Sequence, residues 1–266
     1  MTHELQRNLK QAILLVAGRG SRLAPLTDTT PKCLLEMNGQ SLLIRLLRQL
    51  KDSGIEKAIL VTGYLAEKIE AAVEGQPGIP ELVFAKNETW DQFNNADSLR
   101  VGMQFADEES FLLCDGDLLI CESQIIRDLI CDKRENILGA SLQLPRNLGE
   151  EEMKFQLEAI DVAWGARRVI GLSKGLEPRF SHGESMGMQV VGAKIFSKLK
   201  STLENLNQAD RENKYYEDIF ARLIRSGDAK FFALAIQPEF WTEIDTLEDL
   251  EGARRMLTKF QSQAAI

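Results

Sequence analysis

A protein that handles phosphates needs donors able to come close to anionic oxygens, and one short run of this sequence consists of such residues. Ala17-Gly18-Arg19-Gly20-Ser21-Arg22-Leu23 carries two glycines, whose backbone N–H groups can approach an oxygen without a side chain in the way. Ser21 adds a hydroxyl, and Arg22 adds a planar fork that matches a phosphate. Three readings of this run compete. A dinucleotide fingerprint needs a third glycine where Leu23 stands, and Pro25 obstructs a helix starting there. A Walker-type loop needs Gly-Lys before Ser or Thr in a longer glycine frame, which the run lacks. A plain surface turn is the third. The acidic segment Asp115-Gly116-Asp117 adds two carboxylates after an apolar run. It also has a structural reading as a tight turn, and Asp245 or Thr246 reads as a helix N-cap.

The elements around these residues must carry them to one place. Residues 12–17 form a continuous apolar run ending in glycine, which reads as a buried parallel strand. Ser41 is the N-cap of a helix in which Leu42, Leu43, Leu46, Leu47 and Leu50 keep helical spacing and Gly54 ends the pattern. Strands at 58–62, 82–85, 111–114 and 137–144 then alternate with helices at 65–73, 96–105 and 123–131. This alternation predicts an α/β fold, a Rossmann-like and mostly parallel sheet flanked by helices on both faces. After Pro145 a smaller mixed portion follows. Strands at 154–160 and 168–172 flank a turn at 163–165, a further strand covers 186–191, and helices cover 194–206 and 216–226. Strand 230–236 and a helix starting after Asp245-Thr246 end the chain. In open α/β sheets ligands bind beyond the carboxyl ends of the strands, where the glycine run, Asp115 and Asp117 all fall.

With Pro25-Leu26-Thr27 and Pro31-Lys32-Cys33-Leu34 added, the glycine run resembles the nucleotidylyltransferase superfamily that activates sugar-1-phosphates and phospho-alcohols. That family's signature is an apolar strand, G-x-G-[ST]-R-L, P-L-T and P-K-x-L, and each part is present here. The resemblance implies that Ala17, Gly18, Gly20 and Ser21 hold a nucleoside triphosphate. Arg22 would neutralise the leaving pyrophosphate, and Lys32 would bridge the α-phosphate and the attacking phosphate. It also implies Mg²⁺ held by Asp117 and Asp245, with Asp115 in support. Oxygen ligands from one or two carboxylates plus phosphates suit that ion. Lys174, after a strand-like stretch, matches the lysine for the acceptor's phosphate, although Gly175 stands where the family has proline. The expected organisation is one domain over residues 1–266. Residues 11–145 would bind the nucleotide, and residues 146–266 would form the acceptor pocket and supply the second metal aspartate.

The segment Asn87-Glu88-Thr89-Trp90-Asp91-Gln92-Phe93-Asn94-Asn95-Ala96-Asp97-Ser98-Leu99 looks like the N-N-x-x-S-L pattern of cytidylyltransferases for phosphocholine, aminoethylphosphonate and inositol phosphate. Asn95 and Asn87 would lie near base or ribose, since an amide serves both the carbonyl and the amino group of cytosine. Ser98 would cap the following helix. The same residues also make an ordinary helix N-terminus. For an acceptor with an ammonium head, aromatic faces and carboxylates are needed. Tyr216 and Glu217 are the first choices, with Trp90, Trp164, Phe180 and Tyr215 as further aromatics. Glu184 and Ser185 would instead suit a polyol or sugar-1-phosphate used with TTP, UTP or GTP. A non-catalytic regulatory subunit of the same fold would be expected to lose the signature Arg, Lys or a metal aspartate, and this chain keeps all four.

A formal net charge of −8 argues against non-specific nucleic-acid binding, which needs a basic face. Four cysteines without a C-x-x-C pair read as reduced, mostly buried thiols of a cytoplasmic protein. With only two histidines, the composition argues against a zinc site or a histidine-based mechanism. The polar start and the lack of an apolar run near about 18 residues give no secretory signal and no membrane span. Oligomeric state is not legible.

Overall fold

The computed structural model describes residues 9–159 and 167–264. In its first half β1 (Gln11–Leu15) is followed by the short pair β2 (Glu36–Met37) and β3 (Gln40–Ser41). Then come α1 (Leu42–Asp52), β4 (Lys57–Thr62), α2 (Ala66–Val73), β5 (Glu81–Lys86) and α3 (Asn95–Gly102). β6 (Phe111–Asp115), β7 (Leu118–Ile120), α4 (Ser123–Cys131) and β8 (Asn136–Leu142) complete it. The second half holds β9 (Lys154–Leu157), β10 (Arg168–Ser173), β11 (Gly183–Val191), α5 (Phe196–Glu204) and α6 (Gln208–Asn213). α7 (Tyr216–Ser226), β12 (Phe231–Ile236), β13 (Trp241–Glu243) and α8 (Leu247–Ala264) follow. The turn expected at 163–165, and Trp164 within it, lie outside the described residues.

Nine strands form one sheet in the order β5-β4-β1-β6-β11-β8-β12-β10-β9. The first four are parallel. β11 then runs antiparallel between β6 and β8, while β8 and β12 are parallel. β10 and β9 close the far edge antiparallel. The strand expected at 137–144 therefore points the same way as β6 but is not its neighbour. A buried apolar run shows that both faces of a strand are covered, and it carries no information on which strand lies beside it. Strands from before and after residue 145 interleave in this sheet, so one sheet spans that boundary.

Alternation sends the side chains of each central strand to opposite faces. Ile13, Ile59, Val61, Phe111 and Leu113 pack with Leu99, Phe196 and Phe220 of α3, α5 and α7. Ala12, Leu14, Leu60, Leu112 and Cys114 pack with Leu47, Ile69 and Ile126 of α1, α2 and α4. Each fully buried aliphatic side chain of this kind stabilises the fold by about 1.5–3 kcal/mol relative to exposure. Ser41 caps α1 by accepting a hydrogen bond from the Ile44 amide at 3.3 Å. A third, smaller core gathers Leu23, Met37, Leu42, Leu119, Ile244, Leu250 and Leu257, and it clamps α8 against the segment after β1.

Three local expectations change. β1 ends at Leu15, so Val16 and Ala17 are loop rather than strand. α3 begins at Asn95 with Asn94 as its cap, which places Ser98 inside the first turn and removes its capping role. α6 and the pairs β2–β3 and β7–β13 are unforeseen, because elements so short carry no periodic signal. No described helix is long and apolar enough to cross a membrane.

Candidate active site

Asp117 and Asp245 meet because of the β7–β13 ribbon. Leu118 pairs with Glu243 and Ile120 with Trp241, and the Ile244 amide donates to the Asp117 carbonyl at 3.1 Å. The two aspartates thus flank the same end of the ribbon. Lys32 joins them from a single 3₁₀ turn after Pro31, with its Nζ 2.6 Å from Asp117 Oδ2 and 2.6 Å from Asp245 Oδ1. Arg22 reaches the other oxygen of Asp245 at 2.9 Å. Gly20 makes room for this arrangement. Its φ of 68° is left-handed, and a Cβ there would stand 2.9 Å from Lys32 Cδ. Thr27 Oγ1 donates to the Gly20 carbonyl at 2.9 Å and fixes the turn.

The electrostatics follow from these distances. Burial pulls the Lys32 ammonium down, but Asp117 and Asp245 together outweigh it and hold its pKa above the ordinary value. Burial pushes Asp245 up, and Lys32 and Arg22 more than compensate, so its carboxyl titrates below the usual range. Asp117 Oδ1 is buried and hydrogen-bonds to no other group. A buried carboxylate oxygen without a partner is costly. Two convergent carboxylates with one oxygen free suit a divalent cation that completes its shell from a ligand's phosphates. Among the described residues no group of three or more His, Cys, Asp or Glu side chains forms a ready-made cage.

Two clefts open on either side of this cluster. The first, of about 300 Å³, is lined by Ala17, Gly18, Gly20, Asn95, Ser98 and Asp115, together with Trp90 and Phe93. Ser21, exposed on its 3₁₀ turn, does not line it. Nor does Asn87, which is buried; its amide donates to Ser98 Oγ at 3.1 Å and its carbonyl oxygen accepts from Thr89. Asn87 therefore acts on the cleft through Ser98, which corrects the direct contact expected of it. The loop that carries Asn94 and Asn95 is braced from a distance. The Asn94 backbone N–H donates to the Arg211 carbonyl at 2.8 Å. Fully buried Asp97 pairs with Arg100 at 2.7 Å and Arg211 at 2.8 Å. Burial alone would raise Asp97, yet these two guanidinium groups hold it below its ordinary value. Arg211 is remote in sequence, so local reading assigned Asp97 no role.

The second cleft, of about 500 Å³, is lined by Arg22, Lys174, Glu184 and Glu217, with Tyr215, Trp241 and Glu243. Lys174 lies 3.5 Å from Glu151 and 4.7 Å above the Tyr215 ring. Burial pushes Glu217 up to about 8 and lifts Glu184, to which Glu152 adds. Glu243, unremarked in the sequence, rises well above the carboxylate range through burial and then the charges of Asp117, Asp115 and Asp245. Asn95 and Asp117 line both clefts and form their shared wall.

Tyr216 needs correction as an acceptor contact. Its ring is fully buried and packs edge-on against Phe220 at 5.6 Å, so no face is open to a ligand. Its hydroxyl donates to Asp115 Oδ2 at 2.8 Å, and its backbone N–H donates to Asn95 Oδ1 at 2.9 Å. Tyr216 positions the shared wall, and the aromatic that lines the cleft is the half-buried Tyr215. Asp115 itself is driven well above its ordinary pKa by burial and then by Glu217 and Asp117. Trp90 lies in the first cleft rather than beside the acceptor residues, and Phe180 lines neither cleft. Cys33, Cys114 and Cys121 are buried and Cys131 is exposed. Burial lifts the Cys33 thiol to about 12, which makes it a poor nucleophile beside Lys32.

Residues 12–264 match the family described as the MobA-like NTP transferase domain. A 2-aminoethylphosphonate cytidylyltransferase from Lancefieldella rimae is 32% identical over 116 residues, 44% of this chain and 46% of that protein. The structure of CTP:phosphocholine cytidylyltransferase from Streptococcus pneumoniae superimposes with a TM-score of 0.73 at 21% identity, covering 94% of this chain and 99% of that one. The inositol-1-phosphate CTP transferase of T. maritima gives a TM-score of 0.76 at 21% identity, covering 96% and 98%. The chain spans about half the length, or less, of the first curated relatives it matches.

Proposed function

The chain belongs to the MobA-like NTP transferase domain family, and from that premise we propose that it is a CTP-dependent cytidylyltransferase. It would transfer CMP to a small phosphorylated alcohol or phosphonate and release pyrophosphate. The observation that carries this reading is the Lys32 ammonium held 2.6 Å from both Asp117 and Asp245, where the two clefts share a wall. An oxygen of the acceptor's phosphate or phosphonate attacks the α-phosphorus of CTP. The bond from that phosphorus to the α,β-bridging oxygen breaks, and pyrophosphate leaves with the electron pair. The barrier is largely the approach of one anion to another, which fixed cations lower. Lys32 serves the attacking and α-phosphoryl oxygens, Arg22 the departing pyrophosphate, and Lys174 the acceptor's phosphoryl group. Asp117 and Asp245 would hold Mg²⁺, which when bound supplies further positive charge to the triphosphate oxygens.

The second cleft supports a cationic acceptor head. Glu152, Glu184 and Glu217 line it together with the Tyr215 ring, over one face of which Lys174 sits; a bound cation favours the charged form of Glu217, and carboxylates with an aromatic face suit an ammonium group. These are the chemistries named in the phosphocholine and aminoethylphosphonate relatives. The test is pyrophosphate release with CTP, UTP or TTP against phosphocholine, aminoethylphosphonate, inositol-1-phosphate and glucose-1-phosphate. CTP with phosphocholine or an amine analogue should be the fastest pair. A higher rate for glucose-1-phosphate with TTP or UTP would overturn both the base and the head-group assignments.

A further inference from the structure

The first cleft holds an aromatic side chain that none of the steps above uses. Trp90 is half-buried and lines the cleft between the glycine loop and the Asn94–Asn95 segment. It is seated from behind on backbone. A Cβ at Gly63 would stand 2.6 Å from Trp90 Cβ and Cγ and 2.9 Å from the Ala17 carbonyl, so only glycine admits the indole there. Its ring also leans on Tyr64, with centroids 5.4 Å apart and a 57° tilt. The other aromatic in the cleft, Phe93, already carries the Arg211 guanidinium 3.8 Å from its ring centre.

Tyr64 is in turn tied to the glycine loop. Its hydroxyl lies 2.9 Å from the Thr27 carbonyl and 2.8 Å from that of Asp28, and its backbone N–H donates to Ala17 at 2.9 Å. Arg19 sits 5.6 Å over its ring and pairs with Asp28 at 3.0 Å. A nucleotide has one flat π-face and one anionic tail, and this cleft offers an indole and a glycine loop joined through a single residue. We propose that Trp90 is the platform on which the nucleobase stacks, and that Tyr64 is a positioning residue linking that platform to the triphosphate loop. This rests on reading the first cleft as the nucleotide site.

Base stacking on an aromatic side chain is lost on alanine substitution at a cost that corresponds to about 5- to 150-fold in affinity. Calorimetric titration of the full chain with CTP, CMP and pyrophosphate separates the two parts of the ligand. Trp90→Ala should raise the Kd of CTP and of CMP by the same factor, about tenfold or more, and leave that of pyrophosphate in place. Trp90→Phe keeps a stacking face and should restore most of the affinity. Tyr64→Phe keeps the ring but severs the link to the Thr27 and Asp28 carbonyls. It should leave the CMP Kd unchanged and raise that of CTP by about two- to tenfold, the range for one neutral hydrogen bond. Equal nucleotide binding by Trp90→Ala and the unsubstituted protein would refute the platform alone, as would a loss shared by pyrophosphate. If the unsubstituted protein binds no nucleotide, the reading of the cleft fails and the platform with it.

Discussion

Lys32 occupies the position between two carboxylates that a divalent cation would fill, and this makes the Lys32→Ala variant more informative than a loss of rate alone. Its side chain is 11% exposed, and those of Asp117 and Asp245 are 27% and 30% exposed. Removing it leaves two half-buried carboxylates without their shared cation, and Asp117 then has both oxygens unpaired. Leaving a buried charged group unsatisfied costs roughly 1–3 kcal/mol or more, and partial solvent access keeps this case inside that range rather than above it, at about 2 kcal/mol. For a chain of this size that is about 5 °C in Tm. The variant should therefore melt lower than the parent in EDTA, even though the residue belongs to the reaction centre. Mg²⁺ or Mn²⁺ should then stabilise the variant more than the parent, because the cation need not displace an ammonium and binding to the folded state alone raises Tm by mass action. Turnover should fall by roughly two to four orders of magnitude, as for the loss of one transition-state electrostatic contact. Differential scanning fluorimetry over a metal titration, run beside a pyrophosphate assay, reads all three effects. Equal Tm values in EDTA, and equal metal-induced shifts, would refute the view that Lys32 and the cation compete for one site.

Gly20→Ala puts a side chain at a left-handed φ, at a cost of about 1–3 kcal/mol, and drives a Cβ to 2.9 Å from Lys32 Cδ. It should lower kcat as well as Tm, whereas Gly54→Ala, also at a left-handed φ but with no atom within 4 Å and remote from both clefts, should lower Tm and leave kcat in place; similar kcat in both variants would sink the claim that Gly20 shapes Lys32. Glu217 holds a proton in the folded state up to about pH 8 that the unfolded chain releases above its ordinary 4.5, so its contribution to stability falls as pH rises through that window. Glu217→Gln should melt above the parent at pH 8 with the gap closing toward pH 5, and a gap that ignores pH would contradict the burial of this carboxyl.

Much of the fold is legible in the sequence because the central strands and α1, α4 and α7 carry strong periodicity. Helix bounds at Ser123–Cys131 and Tyr216–Ser226 are as read, since apolar spacing and flanking polar residues agree there. Side-chain direction at α7 was harder. Tyr215 and Tyr216 are adjacent and chemically alike, and only packing against Phe220 decides which one is buried. Asn87 was missed as a support residue for the same reason, because its partner Ser98 lies on the far side of a loop. Long-range pairings escaped too. β11 between β6 and β8, Arg211 on Asp97, and the β7–β13 ribbon join residues that share no local pattern.

The third hydrophobic core has a bearing on how long the reaction centre persists. Ile244 beside Asp245 is held by α8 and by Leu23, Leu119 and Leu250, a cluster far smaller than the two that sandwich the sheet. Local opening follows the smallest cooperative unit rather than the whole molecule. The site would thus be dismantled by undocking the C-terminal helix while the nine strands stay intact. Amide hydrogens of β13 and α8 should exchange together and earlier than those of β1 and β6. A substitution at Leu250 or Leu257, with no contact to any ligand, would shorten the lifetime of the Asp117–Lys32–Asp245 arrangement without unfolding the sheet.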